Sequence, residues 1–463
     1  MCKIDNYKST GTISIKTERS SECGEYASIT QINNICTSIY NFFREKQKYD
    51  GYNFLCCLYD YLGAMNDVSV LSKDILRIID ENELVLILMS NILDNDMKIR
   101  EISLNLSVFL TQNVHGIYKR FVDFDFLVQI SKQYKMINYN FVIGLFSNIL
   151  YCCYLDNDAD ASDKVNLLKT FINIYLPEVI DINLKNTDDD ELKHSYLALL
   201  GNYTLFKLDT NCYKQIINIS NNFLQYDSTS SLICLMIYEN VLRISETKLN
   251  LNEYKFHFNV INELLFANDL KLIKRTLSLI SAIYQKFDYF FSFNIGRIVE
   301  FIIDDDYGIK ICIDASYALR KILENDIDAR NFINTTMLIN HLLNKFESFE
   351  FNVKINVGFS LCFSIMQTDH RNIARYIENP VSFFEISRII LDLQNYQLTF
   401  AIFRSFDHVF GLSKNREKLY NRLVEKFFDS FPNDSIWDYI NVNSQEIEEV
   451  GNNFIHEYFN VVD

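Results

Sequence analysis

The stretch NYNFVIGLFSNILYC at residues 138–152 sets a pattern that the rest of the chain repeats. Phe141, Leu145 and Ile149 stand four residues apart, which places them on one stripe of a helix. Asn148 interrupts that apolar run within the phrase LFSN. Related phrases follow downstream, LLGN ending at Asn202 and MIYEN ending at Asn240. Asparagine is a poor helix former, and a buried amide needs partners. Three of them in one register point to a repeated unit. The equivalent positions are Val108, Asn148, Asn202, Asn240, Ala282, Lys321 and Cys362, at intervals of 40, 54, 38, 42, 39 and 41 residues. The long interval contains an acidic stretch, DNDADASDK at 156–164, which reads as a solvated loop.

Internal order recurs along with the period. ILDNDMKIREISLNLSVFL at 92–110, LLFANDLKLIKRTLSLISAI at 264–283 and FIIDDDYGIKICIDASYALRKIL at 301–323 share one plan. An apolar helix end comes first, then a polar turn with Asp or Asn, then a helix bearing Lys or Arg with apolar residues at three- and four-residue spacing. Such a unit cannot bury its apolar face alone, so neighbours must stack. The period lies close to the roughly 40–47 residues of armadillo and HEAT arrays. Only 3 Pro and 12 Gly occur in 463 residues, too few for a protein that reverses direction at many β-turns. The predicted fold is all-α: a right-handed superhelical solenoid of roughly eight to ten armadillo-type repeats, without β-sheet.

Taken in order, residues 1–27 are polar and read as a flexible segment. Residues 28–463 read as the solenoid, closed by a capping repeat at 435–463 that holds the single Trp, Trp437. A long helix at 397–411 is expected to stop at Gly411.

Charge and composition exclude several functions. A net charge of −16 argues against a direct nucleic-acid surface, which needs clustered Lys and Arg. It suits a basic protein segment as partner, or simply keeps a large helical array soluble. No apolar run is long enough to span a membrane. The 11 Cys lack metal-ligand spacing, and adjacent pairs such as Cys56–Cys57 read as small buried apolar residues in a reducing compartment. The seven His form no paired ligand motif, and no phosphate-binding glycine loop occurs. Acidic runs at 188–191 and 304–306 fall at turns and read as solvated hinges rather than acid–base pairs. No enzyme, catalytic residue, metal or cofactor is expected.

NIARYIENPVSFFEISRIILDLQNYQLTFAIFRSFDHVFG at 372–411 resembles the penultimate repeat of the importin-α (karyopherin-α) armadillo family. SIWDYINVNSQEIEEVGNNFIHEYF at 435–459 is similar to that family's last repeat. In the family, Asn residues on the third helix of each repeat grip the backbone of a basic nuclear-localisation peptide. Trp residues four positions earlier form slots for its Lys side chains. The resemblance assigns peptide binding to Asn148, Asn202 and Asn240. It places Gly144, Ala198, Met236, Ser278 and Tyr317 at the Trp positions, where the aromatic slots are nearly gone, and Ala282, Lys321 and Cys362 at later Asn positions. It further implies an export-factor surface at Trp437, Tyr439, Glu446, Glu448 and Glu449. The family's basic importin-β-binding segment has no counterpart in residues 1–30.

The function expected from this resemblance is a nuclear import adaptor binding basic cargo segments in a groove, with importin-β and a recycling exportin as further partners. Such a protein would work in cytoplasm and nucleus. The alternative is an armadillo or HEAT scaffold, outside transport, that binds another extended protein segment. An adaptor calls for an acidic, Asn-lined stripe, whereas a scaffold tolerates apolar or basic residues there.

Overall fold

The computed structural model describes residues 23–459 apart from 66–67, 123–125, 128, 131–138, 157–160, 175–176, 245–253, 288–290, 379–380, 433–434 and 441–443. Helix is the only regular secondary structure among the described residues, with 25 α-helices and three short 3-10 turns. The all-α expectation therefore holds, in a form compatible with a helical solenoid. The chain divides into two compact units, Met1–Leu176 and Pro177–Asp463.

In the first unit, helices Cys23–Arg44, Lys48–Ala64, Ser72–Glu81 and Leu84–Ile92 lead into α1 (Met97–Asn113), which packs against α2 (Tyr139–Leu155). Leu106 and Leu110 of α1 and Leu145, Phe146 and Ile149 of α2 are fully buried, as their spacing predicts. Phe146 meets Phe171 of helix Ala161–Ile174 at 4.9 Å between ring centroids.

In the second unit the long helices are α3 (Asp190–Tyr203), α4 (Ser228–Ile244), α5 (Leu270–Lys286), α6 (Ile309–Asn325), α7 (Phe351–Ile365), α8 (Tyr396–Ser413) and α9 (Gln445–Phe459). Each packs on the next in chain order, and shorter helices such as Ile295–Ile303 pack against them. Side chains about one period apart pair across these seams. Ser278 Oγ donates to Glu239 at 2.9 Å, Asn356 Nδ2 to Ser316 Oγ at 3.2 Å and Ser405 Oγ to the Cys362 carbonyl at 3.5 Å. The seams thus pair residues 39, 40 and 43 positions apart, near the spacing of the ladder of positions that runs from Val108 to Cys362.

The polar turn before α1, α3, α4, α5 and α8 has a local cause. Asp96, Asp189 and Asp269 accept from backbone N–H groups at the starts of α1, α3 and α5, at 2.9, 3.0 and 2.8 Å. Asp227 does the same for Thr229 and Ser230 in α4, and Asn395 for Leu398 in α8. These are N-caps, each contributing about 1 kcal/mol. Asp189, in the exposed run 188–191 read as a solvated hinge, is thus also the residue that starts α3.

The structure corrects three boundaries. Helix begins at Cys23, inside the segment read as flexible to residue 27, whose first 22 residues lie outside those described. The acidic insertion is helical from Ala161 onward, because Leu167, Leu168 and Phe171 supply a buried apolar face, while 157–160 lie outside the described residues. Gly411 does not stop α8, which continues to Ser413. A Cβ at Gly411 would lie 3.3 Å from the Tyr458 hydroxyl, so this glycine admits the close approach of α9.

Candidate functional site

Successive turns of α4, α5 and α6 line a cleft of about 300 Å³ in the second unit, between Glu239, Arg243, Ser278, Ala282, Asp314 and Tyr317. Ser278, Ala282 and Tyr317 are ladder positions, so the cleft lies on the face that the repeat register singles out. Its composition is mixed rather than uniformly acidic.

Glu239 is 2% exposed. Its carboxylate accepts from Arg275 at 2.7 Å, from Ser278 Oγ at 2.9 Å and from Arg243 one turn along the same helix. A desolvated carboxylate requires such complete pairing. The result is a fixed polar knot tying α4 to α5, with its negative charge already neutralised by the chain's own arginines.

Asp314 is held differently. Its Oδ2 is buried without a hydrogen bond, and the nearest cation, Lys274, stands 3.8 Å away. Burial pushes the carboxyl above the usual range, Lys274 partly offsets this, and Glu239 adds to it. A carboxyl with a raised folded-state pKa favours folding below its unfolded value, and that contribution is lost as pH rises through the folded one. Asp314→Asn is therefore expected to raise the melting temperature at pH 7 and to leave it unchanged near pH 3. Scanning calorimetry at both values checks this.

The three asparagines are placed unequally. Asn148 is half-buried and donates to the Val108 carbonyl at 3.5 Å and to Thr111 Oγ1 at 3.4 Å. Asn240, also half-buried, donates to the Gly201 carbonyl at 3.4 Å and to Thr204 Oγ1 at 3.2 Å. In each unit the amide NH2 thus leans on the preceding long helix through the same carbonyl-and-threonine pair. Among the described residues no hydrogen bond reaches either side-chain oxygen, which leaves an acceptor for a peptide N–H. Asn202 is 5% exposed and presents little surface to a ligand.

At the expected slot positions, Gly144, Ala198, Met236 and Ser278 are half-buried. A Cβ built on Gly144 meets nothing within 4 Å, so that rung is open, whereas the Met236 methyl lies against Gly201. Tyr317 alone presents an aromatic ring, and Lys321 occupies it: Nζ lies 5.8 Å from the ring centroid and 2.6 Å from Glu324. Gln285 donates to the Tyr317 hydroxyl at 2.8 Å. The one aromatic slot is filled by a cation of the chain itself. Lys321→Gln is expected to tighten binding of a basic peptide about threefold to tenfold by freeing the ring and removing repulsion, measured by anisotropy titration.

At the carboxy-terminal end, Trp437 is half-buried and Glu446, Glu448 and Glu449 are exposed. Glu446 accepts from the Tyr396 hydroxyl, and Tyr439 donates to Asp392 at 2.6 Å. Beneath them Phe406, Phe410, Phe427, Phe431, Phe454 and Phe459 form one aromatic core. Among the described residues no cluster of three or more His, Cys, Asp or Glu is placed to hold a metal, and no helix is long and apolar enough to cross a membrane. Cys57 is exposed and Cys56 half-buried, unlike the buried pair expected.

The sequence matches no known family and no curated protein. Among solved structures the chain is similar to an engineered protein at a TM-score of 0.67 and 12% identity, covering 93% of this chain and 98% of that one. A second engineered protein aligns over 52% of this chain and 97% of its own, at a TM-score of 0.39 and 13% identity. The first likeness shows a shared fold; the second carries no argument.

Proposed function

We propose that this chain is an adaptor of the importin-α kind, a right-handed array of armadillo-type repeats that holds an extended basic segment of a cargo protein. The observation that carries the reading is the cleft of α4, α5 and α6, which falls on the ladder positions singled out by the repeat register. Asn240 offers a free acceptor for the peptide backbone, and the partly exposed side chain of Asp314, whose nearest cation stands 3.8 Å away, adds negative charge to the cleft wall for a lysine or arginine. The same reading assigns no catalytic activity, places the protein in cytoplasm and nucleus, and gives importin-β and an exportin as further partners. The exportin surface is Trp437, Glu446, Glu448 and Glu449.

A second reading rests on Arg243, whose side chain is largely exposed at the same cleft. A non-transport scaffold would use it to hold an acidic or mixed-charge segment. Labelled basic, bipartite, acidic and scrambled peptides titrated against the full chain separate the two. The adaptor predicts weak, salt-sensitive binding of the basic and bipartite peptides, because slots without Trp forfeit about 0.5–2 kcal/mol each. Preference for the acidic peptide assigns the scaffold role. Equal binding of basic and scrambled peptides rejects the adaptor.

A further inference from the structure

The first residues of four consecutive long helices are large, apolar and solvent-facing. Leu270, Ile309, Phe351 and Tyr396 open α5, α6, α7 and α8 with 48%, 42%, 56% and 44% of their surface exposed. One turn further on, half-buried Ile313, Ile355 and Phe400 continue the strip on α6, α7 and α8. Residues at i and i+4 share a helix face. Because these helices stack in chain order and each opens on one of these residues, their first turns line one edge of the unit with apolar side chains. On α6 the strip borders the polar cleft, since Ile313 precedes Asp314, but the two share no residue.

Carboxylates outnumber lysines beside the row. Asp269, Asp304, Asp305, Asp306, Glu347 and Glu350 lie in the turns just before α5, α6 and α7, with Lys271, Lys310, Lys345 and Lys354 near them, six acidic side chains to four basic ones. Lys345 is committed to Asp305 at 3.0 Å, and Asp269 and Asp304 accept from backbone caps. Asp306, Glu347 and Glu350 form no ion pair among the described residues and are exposed.

We propose that this edge docks a basic amphipathic helix of a partner protein. Neighbouring helices lie about 8–10 Å apart, and a helix rises about 10.5 Å over seven residues. Apolar side chains seven residues apart on the partner therefore meet successive rungs, while lysines or arginines beside them face Asp306, Glu347 and Glu350. This use is independent of peptide binding in the cleft.

The probe is a labelled 24-residue peptide with Leu on one helical face and Lys and Ala elsewhere, compared with a scrambled peptide of identical composition. Both carry equal charge, so capture by the polar cleft affects them alike. The full chain is expected to bind the amphipathic peptide about tenfold more tightly, the scale set by burying two or three exposed apolar side chains. The double variant Ile309→Ser/Phe351→Ser, checked for helicity by circular dichroism, should lose that preference. Asp306→Asn/Glu350→Gln should weaken both peptides and flatten the salt dependence, and Met337→Ser, an exposed apolar residue outside the row, should change nothing. Equal affinity for the two peptides, or a preference that survives in Ile309→Ser/Phe351→Ser, overturns the proposal. So does a concentration-dependent dimer of the full chain that this double variant abolishes, which would give the row to a second copy.

Discussion

Phe406→Ala is expected to loosen the carboxy-terminal cap by about 3–5 kcal/mol, the cost of removing a fully buried phenyl ring and leaving a cavity. Phe406 touches Phe384, Phe403, Phe427, Phe431 and Phe454, so it joins α8 and α9 to helices Phe383–Leu391 and Glu417–Ser430. Stacked repeats are held chiefly by nearest-neighbour contacts, so the loss should stay local. Hydrogen exchange along Gln445–Phe459 should accelerate by roughly two to four decades while α4 and α5 keep their protection. Uniform acceleration across the second unit would show instead that its repeats unfold as one block. The same core makes deletion of residues 435–463 a poor test of the export-factor surface, since it strips Phe454 and Phe459 from the cluster.

Glu239→Ala is expected to destabilise the α4–α5 seam by about 3 kcal/mol, because it removes the carboxylate that pairs Arg275 and Ser278 inside a desolvated contact. Arg243→Ala should cost under about 1 kcal/mol, since that side chain is mostly in water. Urea midpoints of the two variants, with circular dichroism as the probe, check the order. Equal shifts would mean that the buried carboxylate takes its stability from Arg243 rather than from the seam to α5.

The long helices are legible in the sequence because their apolar spacing and forty-residue period are local properties. Leu145 and Ile149 are buried as their positions demand. Other features were hidden because they depend on partners distant in the chain. MIYEN drew attention to Asn240, while its neighbour Glu239 is the more constrained residue. Its i+4 arginine was visible, but Arg275 and Ser278 come from the next repeat. Asp314 and Lys274 likewise belong to different repeats and meet only through stacking. The ladder positions were found as a register, yet the burial of Asn202 and the capture of Tyr317 by Lys321 follow from packing that no spacing encodes. Gly411 was misread because a glycine that ends a helix and one that admits a neighbouring helix look the same in one dimension.

The caps at Asp189, Asp227, Asp269 and Asn395 bear on how such a chain can change length. In the second unit α3, α4, α5 and α8 carry their own capping residue and the long helices lean on the helix one period before them, so growth and loss are quantised. Excising residues 270–308 would join Asp269 directly to Ile309, giving α6 an initiator it lacks, since Gly308 now precedes it without a side-chain cap. The following helices would keep both their starts and their neighbours. A cut of half that length would leave one helix without a beginning and turn the next one's apolar stripe toward water. A gene for this protein can therefore gain or lose about forty codons far more safely than twenty, and variation in repeat number is the change that its architecture tolerates best.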